Sequence, residues 1–171
     1  MDVYITLPIL RKLATKHDAV HKQVAQRLRK KSPPDLDAVV REWTDELFGL
    51  IPCLECGHCC AALGPRITPS DIGRVRRALS MKEEPFVAKY LRVDEDGDYV
   101  FQAMPCPFLG EDNHCFVYEE RPRACRDYPH TESKKFHKRL MLSLKNRSTC
   151  PIVFHIFQRL VTRYGLWCTS P

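Results

Sequence analysis

The sequence predicts a mainly α protein with a minor β-hairpin: a small, loop-rich, metal-stapled domain preceded by a helical pair. Three observations predict it. Apolar residues recur at steps of three and four in two N-terminal stretches and one near the C terminus, which is the helical period. Strand-like residues are confined to a short run at Tyr99-Val100-Phe101. Nine of the 171 residues are cysteine, and four of these fall within eight positions.

The elements follow in order. Leu10, Leu13, His17, Val20, Val24 and Leu28 make one stripe of a long amphipathic helix, with basic residues mostly on its other faces. Ser32-Pro33-Pro34-Asp35 ends it and opens a second: Ser at the N-cap, Pro at the first helical position, an acid in the first turn. Leu36, Val39, Val40, Trp43, Leu47 and Leu50 are its expected buried face. Residues 1–50 thus read as an antiparallel helical pair, closed by Gly49 and Pro52. Thr68-Pro69-Ser70-Asp71 is a capped helix start, followed by Ile72, Val75 and Leu79. A short helix is expected around Glu84–Leu91, and Asp96-Gly97-Asp98 turns the chain into Tyr99. Residues 105–130, dense in Pro, Cys and charge, predict loops and one short helix. A last helix starts near Thr149-Cys150-Pro151 and buries Ile152, Phe154, Ile156, Phe157, Leu160, Val161 and Tyr164. The organisation read from this is 1–50 helical pair, 51–151 cysteine domain, and 152–171 a helix packed on that same domain.

At 44% hydrophobic and 28% charged residues the chain is expected to fold, and at this length it can bury a core without staples. The cysteines need another reason. The N terminus has no secretory-signal pattern, and no window approaches the roughly 20 apolar residues of a membrane span. The reading is a soluble, cytoplasmic protein. In a reducing compartment dense cysteine indicates metal ligation or redox chemistry more than disulfides, and an odd number cannot fully pair. The net charge of +6 is polarised: 11–31 and 134–147 are basic, 83–120 acidic. The basic helix 11–31 reads first as a solvated face; non-specific contact with nucleic acid through it is the most that its charge implies. Gly-rich phosphate loops, nucleophile elbows and dinucleotide fingerprints are absent.

Cys53, Cys56, Cys59 and Cys60 form a CxxCxxCC run, with Gly57 inside the loop where tight backbone is easiest. Two-residue gaps let successive thiolates of a turn converge on one ion. Adjacent Cys59 and Cys60 are expected to diverge and to serve different sites. Cys106, Cys115, Cys125 and Cys150 follow singly, giving eight candidate ligands, with Cys168 as the bystander. Eight thiolates suit two tetrahedral zinc ions. The Cys53–Cys56–Cys59 gaps equally match the core of a 4Fe–4S cluster whose fourth ligand is a remote Cys-Pro, a condition met by Cys106 and Cys150.

Cys53-x-x-Cys56-Gly-x-Cys59-Cys60, Thr68-Pro69-Ser70-Asp71-Ile72, Cys106-Pro107-Phe108-Leu109 and the run from Cys115 through Arg121-Pro122, Cys125-Arg126 and Pro129 resemble the YkgJ-type cysteine-cluster family. This is the CxxCxxCC domain, described as chelating zinc or iron. The resemblance spans roughly residues 50–151 and implies metal binding through the cysteines, with no biochemical activity assigned to most members. A related domain in flagellin lysine N-methylases makes an iron–sulfur-dependent modifying enzyme, acting by redox or group transfer, the alternative. A binding module using the basic helix is the second alternative. Arg121 and Arg126 flank Cys125 and are expected to stabilise thiolates from the second rank, partly because the family motif contains them. His58 and His114 sit beside ligand candidates and are placed in the same supporting role.

Overall fold

The computed structural model describes residues 4–165, so Cys168 lies outside the described residues. In chain order the elements are α1 (Leu7–Lys16), α2 (Asp18–Lys30), α3 (Leu36–Leu50), the short turns α4 (Cys53–Cys56) and α5 (His58–Ala62), α6 (Pro69–Ala78), α7 (Glu83–Tyr90), β1 (Leu91–Val93), β2 (Tyr99–Phe101), α8 (Arg123–Asp127), a 3-10 turn (Phe136–Lys138), α9 (Leu140–Asn146) and α10 (Pro151–Tyr164). The fold is mainly α with one two-stranded antiparallel hairpin. Two compact units divide the chain: residues 1–52 with 129–171, and residues 53–128. Among the described residues no helix is long and apolar enough to cross a membrane.

The first unit is helical. Pro151 occupies the first turn of α10, and residues 151–154 are all buried, as are Ile156, Phe157 and Leu160. A helix apolar on so many sides must be enclosed, and α10 is the common partner of α1, α2, α3 and α9. This differs from the sequence expectation twice. The C-terminal helix belongs with the N-terminal ones, and α2 and α3 both pack on it, so the first fifty residues are not a self-contained pair.

The expected long first helix is broken at His17 (φ −96°, ψ 11°). The cause lies far along the chain. Arg147, 7% exposed, donates from Nη2 to the Ala14 carbonyl (3.2 Å) and to Asp18 Oδ1 (2.5 Å), and from Nη1 to the Leu144 carbonyl. The guanidinium thereby takes the carbonyl that the Asp18 amide would use in an unbroken helix. Thr15, whose hydroxyl donates back to the Arg11 carbonyl (3.0 Å), adds to the bend. In α3 the buried stripe is Leu36, Val40, Thr44 and Leu47, continued by Ile51, while Leu50 is 55% exposed. The period shifts from i+3 to i+4 because Thr44 can be buried: its hydroxyl donates to the Val40 carbonyl at 2.7 Å. The helix also starts later than Ser32, since Pro34 disfavours helical backbone at Pro33, and Asp35 becomes the N-cap.

The second unit has its own apolar cluster: Ile67, Ile72, Val75, Phe86, Leu91, Phe101, Phe108 and Val117. Helix α6 begins with a full capping box between Thr68 and Asp71. The hairpin pairs Leu91 with Phe101 and Val93 with Tyr99. Its turn is built by Asp94, whose carboxylate accepts from the amides of Asp96 (3.1 Å) and Asp98 (2.9 Å), with Gly97 at φ +80°.

Candidate metal centre

Local chemistry shapes the CxxCxxCC segment. Helical turn α4 stops at Gly57, which adopts φ +61°, a left-handed conformation in which a side chain is strained. The turn α5 then carries His58, Cys59 and Cys60. Gly57 also permits a close approach: a Cβ there would lie 2.7 Å from Asn113 Oδ1. Asn113 is in turn fixed by its Nδ2, which donates to the Glu55 carbonyl (3.0 Å). A second tie joins the same loops, from the Cys106 amide to the Cys60 carbonyl at 2.8 Å. The 53–62 loop is thus clamped to the 106–115 loop through the carbonyls of Glu55 and Cys60, one held by the Asn113 side chain and the other by the Cys106 amide.

These ties gather seven thiols. Cys59 and Cys60 have their sulfurs 4.0 Å apart, close to the ~3.8 Å edge of a tetrahedron with Zn–S bonds of about 2.3 Å. The expected divergence of the pair is not seen, because both sit on a helical turn and not on extended backbone. Cys59 also hydrogen-bonds Cys53, so it stands between two sulfurs. Cys60 is close enough to act electrostatically on Cys106, Cys115 and Cys125. The seven cysteines of residues 53–128 are free thiols. Cys150 belongs to the helical unit, where it is buried as the N-cap of α10.

Charge is divided unevenly over the cluster. The hydrogen bond from Cys59 brings the Cys53 thiol down to about 7, against the effect of burial and with help from the Arg121 guanidinium. The same donor lowers Cys60. Cys59, which gives both bonds, is driven upward and keeps its proton. Burial raises Cys56 and Cys115 and pushes Cys106 up to about 11 and Cys125 to about 12. Against that burial, backbone amides donate to sulfur: His58 to Cys56, Phe108 and Leu109 to Cys106, and Val117 to Cys115. Amides aimed at sulfur favour the thiolate and are a common support of metal-bound cysteine.

Arg121 is the cation of the cluster, acting on Cys53, Cys115 and Cys125. It is held by stacking on Tyr118, 3.8 Å from the ring centre, and by donating to the Tyr118 carbonyl at 2.5 Å. Arg126 does something else: its Nη1 donates to the Arg121 carbonyl (3.0 Å), so it braces the loop. His58 is buried beside the thiols, whereas His114 is exposed and turned to Asp112.

Two supports had no signal beyond helix capping in the sequence. The Asp71 carboxylate, in a residue 1% exposed, accepts from the Thr68 amide (2.9 Å) and hydroxyl (2.6 Å), from Arg74 Nη2 (2.6 Å) and from the Arg123 amide (2.9 Å). Arg123 is the first residue of α8, the five-residue helix that presents Cys125. Arg74 Nη2 also reaches the Arg121 carbonyl (3.1 Å). One buried carboxylate therefore fixes the entry to both Arg121 and Cys125. Asn113 is the other, and nothing in its sequence context marks it.

Gly57→Ala tests the loop clamp. The left-handed backbone costs about 1–2 kcal/mol for alanine, and the contact with Asn113 adds to it. We expect a loss of about 2–3 kcal/mol in chemical denaturation of residues 53–128. Adding Asn113→Ala should recover the contact part and leave the backbone part. A cycle with no coupling would remove Asn113 from the clamp.

The donor chemistry fits a thiophilic metal: seven thiols, amide donors to sulfur and one guanidinium. Among the described residues, no three His, Cys, Asp or Glu side chains are already arranged around one ion position. No curated protein and no solved structure matches the chain. A family model, CxxCxxCC, described as "Putative zinc- or iron-chelating domain", matches residues 52–150. That is more than half of the sequence and includes the whole thiol-bearing unit, so the chain belongs to the CxxCxxCC family.

Proposed function

We propose that residues 53–128 hold a thiolate-ligated centre of zinc or iron containing more than one metal ion, and that binding this centre is what the unit does. The observation that carries the reading is the reach of Cys60 to Cys56, Cys106, Cys115 and Cys125 as well as to its neighbour Cys59, 4.0 Å away, with Cys53 beside Cys59: more thiols than the four that a single tetrahedral ion takes. The ligands would be Cys53, Cys56, Cys59, Cys60, Cys106, Cys115 and Cys125. Arg121 and the amides of His58, Phe108, Leu109 and Val117 would offset the negative charge of the thiolates and, for iron, tune the potential. For a 4Fe–4S cluster, Cys106-Pro107 is the Cys-Pro within the same unit as Cys53, Cys56 and Cys59.

Anaerobic purification, metal analysis and an absorption spectrum test this. Two or more zinc or iron ions per chain are expected; a broad band near ~400 nm assigns an iron–sulfur cluster and a colourless zinc protein assigns zinc. Cys56→Ser and Cys115→Ser should each lower the metal-to-protein ratio. A ratio of one ion, or an unchanged ratio in both variants, would overturn the polynuclear reading.

A further inference from the structure

We propose that the helical unit carries a docking face for duplex nucleic acid, contacted through its phosphodiester backbone. The overall net charge of +6 hides a division between the units. Residues 1–52 and 129–171 hold 17 Lys and Arg against 8 Asp and Glu, net +9, whereas residues 53–128 hold 10 against 13, net −3.

The fold then concentrates the positive charge. Residues 19–31 and 134–147, remote in sequence, contain no Asp or Glu. They meet in space: α2 packs against both the 3-10 turn and α9, and Arg29, His137, Lys138 and Met141 line one shallow concavity of about 460 Å³. Lys22 and Arg147 are paired with Asp18. The exposed cations Arg29, Lys30, Lys134, Lys135, Lys138 and Arg139 form no ion pair among the described residues.

The face is also built and not merely draped. Asp37 of α3 accepts from the amides of Lys135 (2.7 Å) and Phe136 (2.9 Å), and Phe136 is fully buried beneath the turn. That leaves Lys135 at φ +61° and sets the basic turn against the end of α2. The Asp37 carboxylate is committed to those amides.

The chemistry selects the partner. Several fixed cations spread over an open face match regularly spaced phosphates, whose neutralisation releases counterions. Neither segment exposes Phe, Tyr or Trp for base stacking, since its one aromatic of that kind, Phe136, is buried; this favours a duplex over a single strand. Met141 and Leu142, each a little over one-third exposed, give too little apolar surface for insertion into a bilayer.

Fluorescence anisotropy with the full-length, metal-loaded protein tests the inference, using a labelled mixed-sequence DNA duplex, its separated strand, an acidic peptide and anionic phosphatidylserine vesicles. Duplex binding is expected with a slope of log K on log salt of about −3 to −5, corresponding to four or five phosphates. Lys30→Glu with Lys138→Glu should weaken it at least ten-fold and flatten the slope by about 2. Metal content should stay unchanged, so this reading and the metal-centre reading fail separately. Lys89→Glu, in the other unit, should leave binding as it was. Absence of duplex binding at low salt, equal affinity in the double variant, or tighter binding to strand, peptide or vesicle would overturn the inference.

Discussion

Asp71→Ala is expected to destabilise residues 53–128 by about 3–5 kcal/mol and to lower metal occupancy, although Asp71 is not itself a candidate ligand. The size follows from what is stranded. Its carboxylate accepts four hydrogen bonds, one from the half-buried Arg74 guanidinium and one from the first amide of α8. Alanine leaves a poorly solvated cation and three donors without their acceptor, and it unpins the helix bearing Cys125. Asp71→Asn keeps an oxygen but loses the charge and should cost about 2–3 kcal/mol. Burial opposes ionisation of this carboxyl, but the Thr68 hydroxyl and amide, the Arg123 amide and Arg74 outweigh it and hold it down to about 2. The unfolded carboxyl, near 3.8, binds its proton first. Unfolding therefore takes up a proton in that window, and the stabilisation is complete above about pH 5 and lost as pH falls toward 2, a change on the order of 2 kcal/mol. That part of the acid limb should be absent from Asp71→Asn. Denaturant titrations of wild type and both variants between pH 2 and 6 check it. Variants within about 0.5 kcal/mol of wild type would show that the carboxylate holds nothing.

The same residue shows how much the sequence carried. Thr68-Pro69-Ser70-Asp71 announces a helix start because capping is local, and α6 begins there with the reciprocal bonds that the motif implies. The further bond to Arg123 joins residues fifty-two positions apart, and no local pattern encodes it. The helical unit repeats the lesson. The stripe from Leu10 to Leu28 is legible as a period, but its break at His17 depends on Arg147, more than a hundred residues later. Helix α9 was invisible because Leu140-Met141-Leu142-Ser143-Leu144 is a short apolar run with no period to read. At the site, residue types and gaps single out the cysteines, since thiolate chemistry needs them. The clamps that bring the loop of Cys106 and Cys115 to Cys60 end on the backbone carbonyls of Cys60 and Glu55, which any sequence possesses, and the one side chain among them, Asn113, lies in no recognisable motif.

Removing the metal should melt only part of the second unit. A structural metal contributes its binding energy to folding, about 10–16 kcal/mol for zinc in small sites, but only where the chain has no other reason to be ordered. Here the reasons are separable. The apolar cluster is supplied by α6, α7, the hairpin, Ile67, Phe108 and Val117, and none of residues 53–63 belongs to it. That loop is held by Asn113, by the Cys106 amide and by the sulfur contacts themselves. Without metal, the Cys59 donor lowers Cys53 and Cys60 while burial drives Cys106 and Cys125 upward, and the thiols have no common counter-charge. Hydrogen exchange after chelation should therefore show lost protection at 53–63 and 121–127, and retained protection at 69–78, 83–93, 99–101 and in the segment from Phe108 to Val117, which belongs to the apolar cluster. A net loss of even about 3 kcal/mol would lower the melting midpoint of a unit this size by roughly 12–24 °C. The core of α10 is made of Ile152, Val153, Phe154, Ile156, Phe157 and Leu160, and it should keep its slow exchange throughout. Uniform loss across residues 53–128 would mean that the metal, and not the apolar cluster, is the core of that unit; no loss anywhere would mean that the thiols are ordered by the protein alone.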